Sequence, residues 1–104
     1  MAFVKVAALD DVWSGEMMAC TAGATKVLLV RIGETIRAYE NRCAHLGAPL
    51  SDGRLAGTVL TCAVHHWQYD ACTGRGINPA MAQLKAFPVE IRDGSILVDT
   101  AAAA

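Results

Sequence analysis

Two short segments of the chain carry residues that could do chemistry. Cys43–Ala44–His45 and Cys62–Ala63–Val64–His65 each set one thiol and one imidazole within a few residues of each other, and sixteen residues separate the two segments. Thiolate and imidazole are both good ligands for iron, and a loop with a Cys and a His this close together can present both to one metal site. A structural zinc domain would usually pair two cysteines and then two histidines around a helix, and no such helix is legible here. The spacing of a four-cysteine ferredoxin is also absent. His66 stands beside His65, and spacing selects His65 as the ligand and leaves His66 on the surface. Cys20 and Cys72 lie outside both segments and read as small, buried apolar residues.

The rest of the composition limits what these ligands can serve. At 104 residues the chain suits one domain, 1–104, and has no room for an oxygenase or a nucleotide-binding unit as well. No Gly-rich fingerprint for a nicotinamide or flavin cofactor is present. A net charge of −1 leaves no basic surplus to attract nucleic acid or an anionic membrane, so the expected partner is a protein or a small molecule. No apolar run approaches the roughly 18 residues of a spanning helix, and the start, MAFVKVAALDD, does not read as an export signal. A cytoplasmic chain is expected, and in that compartment four cysteines read as candidate metal ligands sooner than as a disulfide framework.

The ligand segments must be held by something, and the chain around them reads as all-β. Phe3–Ala7, Glu16–Thr21, Thr25–Ile32 and Thr35–Tyr39 are expected strands. The segment Leu9–Gly15 reads as a turn with one short helical turn, and Gly23 and Gly33 make the hairpin breaks. Asn41–Asp52 is a loop broken by Gly47 and Pro49 and carries the first ligand pair. Thr58–Cys62 and Trp67–Tyr69 form a second strand pair whose turn carries the other ligands. Asp70–Gln83, with Gly74, Gly76 and Pro79, is expected to be a long third loop, so the loops around the candidate ligands cover about 41–83. Leu84–Ile91 and Ser95–Val98 close a hairpin through Arg92–Asp93–Gly94, with Pro88 marking an edge strand or a bulge. Ala101–Ala104 reads as a frayed tail.

The ligand pattern resembles that of the Rieske family, Cys-x-His followed some fifteen or more residues later by Cys-x-x-His. The resemblance extends to His45–Leu46–Gly47–Ala48–Pro49–Leu50 as the family's first loop and to Gly74–Arg75–Gly76–Ile77–Asn78–Pro79 as its third, proline-containing loop. It implies an antiparallel β-sandwich with a small cluster-binding subdomain built from loops. It also implies one [2Fe–2S] cluster, with Cys43 and Cys62 on one iron and His45 and His65 on the other. Gly76 and Pro79 would cover the cluster from the third side, and Trp67 would shield it or form part of a docking surface. The disulfide-bearing, high-potential branch has cysteines where this chain has Ala48 and Val64, and a serine donating to a cluster sulfur where this chain has Trp67. Fewer hydrogen bonds to sulfur imply a potential nearer the low end of the roughly −150 to +300 mV range of such centres. Tyr69 points the other way, because it matches a tyrosine that in that branch bonds a ligand sulfur.

The resemblance implies a carrier of single electrons and no catalysis of its own. The chain looks most like the ferredoxin component of toluene-type aromatic monooxygenases. Electrons would come from an NADH-dependent flavin reductase and pass to a di-iron hydroxylase, with transient docking at each. Two alternatives are the ferredoxin of a ring-hydroxylating dioxygenase and a small subunit of an assimilatory reductase, in which the ligand set is often incomplete.

Overall fold

The computed structural model describes residues 3–44, 47–64 and 66–101. Its strands are β1 (Val4–Ala8), β2 (Glu16–Ala22), β3 (Thr25–Ile32), β4 (Thr35–Glu40), β5 (Arg54–Ala56), β6 (Val59–Thr61), β7 (Gln68–Asp70), β8 (Gly76–Asn78), β9 (Ala86–Phe87), β10 (Val89–Arg92) and β11 (Ser95–Val98). They form three antiparallel sheets, β1-β11-β10, β2-β3-β4-β9 and β5-β6-β7-β8. The fold is all-β and antiparallel, as expected.

Strand β3 organises the interior. Val27, Leu28, Leu29 and Val30 are all fully buried, so this strand is covered on both faces. Successive side chains of a strand point to opposite sides, and the two sets join two different cores. Val27 and Leu29 pack with Ile36, Phe87, Ile96 and Val98 toward the β1-β11-β10 sheet. Leu28 and Val30 pack with Tyr39, Leu50, Leu60, Tyr69 and the thiols Cys43 and Cys62. A continuous apolar run of this kind is what a central, doubly covered strand requires.

The second half of the expected Leu84–Ile91 strand departs from its reading. The chain pairs with β4 through Ala86 and Phe87 as β9, then leaves that sheet and pairs with β11 from Val89 onward as β10. Pro88 lies at the switch. It has no N–H to continue the first ladder, while its carbonyl accepts the Asp99 N–H at 3.2 Å. The hairpin beyond it turns through Asp93 and Gly94, both at positive φ (50° and 76°), the geometry of the tight two-residue turn that an Asp-Gly pair favours.

The third sheet carries two strands that were not expected. β5 and β8 are three residues each, too short to show a period. β8 also falls inside what reads as the long third loop, because Gly76 and Pro79 look like loop punctuation. Gly76 is there for another reason. A Cβ on it would stand 2.7 Å from the Ala82 carbonyl oxygen and closer still to that of Pro79, and its N–H donates to Ala82 O at 2.7 Å. The third loop is therefore folded tightly back on β8. Leu9–Asp11 is the short helical turn expected near the start, and Leu50–Asp52 is a second one inside the first loop. Residues 102–104 of the tail lie outside the described residues.

Candidate metal centre

Cys43 and Cys62 stand at the bases of two loops that leave the sheets side by side. The first loop is closed on itself by the Cys43 N–H donating to Ala48 O at 2.8 Å and the Gly47 N–H donating to Cys43 O at 2.9 Å. The second is closed by the Cys62 N–H donating to Trp67 O at 2.8 Å. Both thiols are almost completely buried, and neither is in a disulfide. His45 and His65, the imidazoles of the motif, lie outside the described residues. His66 is exposed, with a left-handed backbone at φ 57°.

The surroundings of the thiols offer hydrogen-bond donors to sulfur, while burial opposes its ionisation. The Tyr69 hydroxyl lies 3.3 Å from Cys43 Sγ and accepts the Ala44 N–H at 3.2 Å. Burial pushes the Cys62 thiol above its ordinary pKa, against the Val64 N–H, which favours the thiolate, while the neighbouring Cys43 thiol pushes it further up. Two buried thiols within hydrogen-bonding reach of each other, already facing N–H and O–H donors, are stabilised as a pair of thiolates by a metal cation. The donor set therefore fits an iron held by two cysteines.

The supporting residues divide into those that the sequence signals and those that it does not. Trp67 is half-buried and packs on the same core as the thiols, so it anchors the second loop in addition to standing beside it. Asn41 carries no signal of its own, yet its amide donates to Ser51 Oγ and accepts the Ser51 N–H, both at 3.0 Å. It clamps the first loop across its base. Tyr39 donates to Ala71 O at 2.6 Å, and Arg37 Nε donates to Cys72 O at 3.0 Å, tying the start of the third loop to β4. Cys72 is half-buried beside this contact and Cys20 is half-buried in β2, both more exposed than the buried positions expected, and neither is part of the core that holds the thiol pair. Ala48, standing where a bridging cysteine would be, supplies the carbonyl that holds Cys43.

Known proteins resemble this chain in sequence and fold. The family model described as Rieske [2Fe-2S] domain matches residues 2–88. The ferredoxin component of the alkene monooxygenase system of Xanthobacter autotrophicus is 39% identical over 94% of this chain and 81% of its own length. The ferredoxin component of the naphthalene 1,2-dioxygenase system of Pseudomonas putida is 30% identical over 93% of this chain and 94% of its own length. Among solved structures, a chain in a complex of reduced oxygenase and oxidized ferredoxin of carbazole 1,9a-dioxygenase superposes with a TM-score of 0.83. It is 33% identical, covering 92% of this chain and 91% of that one.

Proposed function

The chain belongs to the Rieske [2Fe–2S] family, and from that premise we propose that it is the one-electron carrier between a reductase and the hydroxylase of an oxygenase system. The observation that carries this reading is the buried Cys43–Cys62 thiol pair with the Tyr69 hydroxyl at Cys43 Sγ. Cys43 and Cys62 would hold one iron and His45 and His65 the other. A cluster bound there supplies reversible one-electron chemistry. The protein's own residues keep the thiolates dry, hold the loops closed and set the hydrogen bonding to sulfur. No helix among the described residues is long and apolar enough to cross a membrane. An NADH-dependent flavin reductase as donor would place the carrier in the cytoplasm.

For the acceptor, the di-iron hydroxylase of a toluene-type aromatic monooxygenase is our first reading. It is supported by the greater likeness to the alkene monooxygenase component. The second reading is the terminal component of a ring-hydroxylating dioxygenase, which the naphthalene and carbazole relatives favour. Reconstitution decides between them. The reduced protein should support turnover of a di-iron monooxygenase hydroxylase and not of a dioxygenase terminal component, and the reverse result would transfer the assignment. The cluster itself is tested by electron paramagnetic resonance of the dithionite-reduced protein. A rhombic signal with a low average g is expected, and a colourless, signal-free zinc protein would refute the reading.

A further inference from the structure

Charge is distributed along this molecule in a way that its net charge of −1 conceals. Lys26, Arg42 and Lys85 come from three separate segments, and all are exposed. The Asn41 N–H donates to Lys26 O at 3.0 Å and the Glu40 N–H donates to Lys85 O at 2.9 Å, which brings both lysines to the β4 end from which the Cys43 loop departs. Arg42, Cys43, Ala44 and Lys85 line one cleft, and Lys26 and Arg42 line the adjoining one. Arg42 lies over Gly47, where a Cβ would stand 2.9 Å from its Nε. The half-buried Glu40 is the one carboxylate in either cleft. Among the described residues the one ion pair joins Arg92 to Glu90, so none of the three cations is held by a carboxylate there.

The opposite end of the same sheet is acidic. Arg31 is five residues beyond Lys26 on β3, about 17 Å away at 3.3–3.4 Å per residue. There the Leu9 N–H bonds Gly94 O and the Gly33 N–H bonds Ser14 Oγ. These contacts gather Asp10, Asp11, Glu16, Glu34 and Asp93, all exposed, around that end. Arg31 itself is engaged by the carbonyls of Leu9, Val12 and Gly33. The molecule is thus polarised along β3, positive beside Cys43 and negative at the far end.

We propose that Lys26, Arg42 and Lys85 form the docking surface for a redox partner protein whose own docking face is rich in carboxylates. The proposal rests on the electron-carrier reading. The polarity turns the Cys43 side toward such a partner during diffusional encounter and repels a partner of opposite sign. One electron then passes from the reduced carrier to the partner's oxidised metal centre, and no atom is transferred. Complementarity of this kind acts on the rate of encounter and weakens with salt, which suits a carrier that must also leave.

Stopped-flow oxidation of the reduced holoprotein by small one-electron oxidants of opposite charge tests this. Hexacyanoferrate(III) is the anionic probe and hexaamminecobalt(III) the cationic one. The hexacyanoferrate rate should fall with ionic strength, and the hexaamminecobalt rate should not. The K26E/K85E double variant, which leaves the residues next to Cys43 untouched, should slow hexacyanoferrate on the order of tenfold at low salt. D10N/E34Q at the far end should change it little. A hexaglutamate peptide should inhibit the wild-type reaction and not that of K26E/K85E. Rates indifferent to salt, or equal in wild type and K26E/K85E, would overturn the proposal. So would self-association at low salt that K26E/K85E abolishes, which would assign the surface to a second copy of the chain. Iron content and the paramagnetic signal are measured on the same samples. Loss of the signal in wild type refutes the carrier reading, whereas an intact signal with unaltered rates refutes only the docking surface.

Discussion

The Tyr69 hydroxyl oxygen lies 3.3 Å from Cys43 Sγ while it accepts the Ala44 N–H at 3.2 Å. With that N–H on its oxygen, and with a thiolate in place of the thiol, the hydroxyl is the donor in the contact with sulfur. A donor to sulfur favours the reduced, more negative cluster. Replacing Tyr69 by Phe keeps the buried ring and removes only the donor. If the bond is about 1 kcal/mol stronger in the reduced state, the potential falls by about 40 mV, since 59 mV is tenfold for one electron. A redox titration of Y69F checks this, and an unchanged or higher potential would contradict it. The wild-type value should itself lie toward the low end of the Rieske range, because Trp67 stands where the high-potential branch has its second hydroxyl donor.

Gly76 gives a prediction about the third loop. A methyl group there meets the backbone oxygens of Pro79 and Ala82, which belong to the loop and cannot rotate aside as a side chain would. Gly76→Ala should therefore destabilise the protein by about 2 kcal/mol, the usual range for overpacking. For a chain of this size that lowers the thermal midpoint on the order of 10 °C. A thermal melt within 2–3 °C of wild type would show that the loop can move away from β8 at little cost.

Tyr39 gives a pH dependence. Burial pushes its hydroxyl from the ordinary value of 10.0 up to about 12, against the nearby Arg37 guanidinium, which lowers it. The folded state holds the proton more tightly than the unfolded one. The stabilisation is fully present below pH 10 and is lost as pH rises toward 12, at up to about 1.4 kcal/mol per pH unit. Tyr69, held well above its ordinary range by burial, adds its own share. Tyr39→Phe should flatten part of this alkaline decline. At neutral pH it should cost about 1 kcal/mol, through loss of the 2.6 Å bond to Ala71 O. Urea unfolding of both proteins between pH 7 and 11.5 would show equal slopes if the reading of Tyr39 is wrong.

Much of this could be read in advance where one local rule decided the outcome. Alternation and β-branched residues mark β2, β3 and β4, the Asp93–Gly94 pair marks its turn, and the Cys/His spacing marks the two loops that bring Cys43 and Cys62 together. The elements that escaped depend on contacts distant in sequence. β5 and β8 exist because β6 and β7 offer ladders to them, and three residues do not show a period. Pro88 announces a break in a strand, but only the positions of β4 and β11 make that break a change of sheet. Asn41 and Tyr39 act on Ser51 and Ala71, ten and thirty-two residues away, and nothing near either residue signals a partner. The cationic surface is of the same kind, since Lys26, Arg42 and Lys85 are unremarkable singly and meaningful only where β3, the first loop and the segment before β9 meet.

Removal of the iron should unfold the two halves of this molecule unequally, because the two cores divide at β3. The core of Val27, Leu29, Ile36, Phe87, Ile96 and Val98 contains no proposed ligand and is closed by β1, β10 and β11. The other core includes Cys43 and Cys62, and among the described residues the two loops beside it are held by few backbone bonds. Without a cation the paired thiols lose the interaction that favours them as thiolates, and a site assembled around a metal loosens when the metal leaves. Hydrogen exchange of the apoprotein should therefore show protection retained at Leu29, Ala38, Ile96 and Val98 and lost at Cys43, Gly47 and Cys62, with Leu60 intermediate. Cys43→Ser or Cys62→Ser, each of which removes one of the proposed ligands, should reproduce the same pattern. Uniform loss across both cores would mean that the metal organises the whole fold, and uniform retention would mean that the loops are closed by the Cys43–Ala48 and Cys62–Trp67 bonds alone.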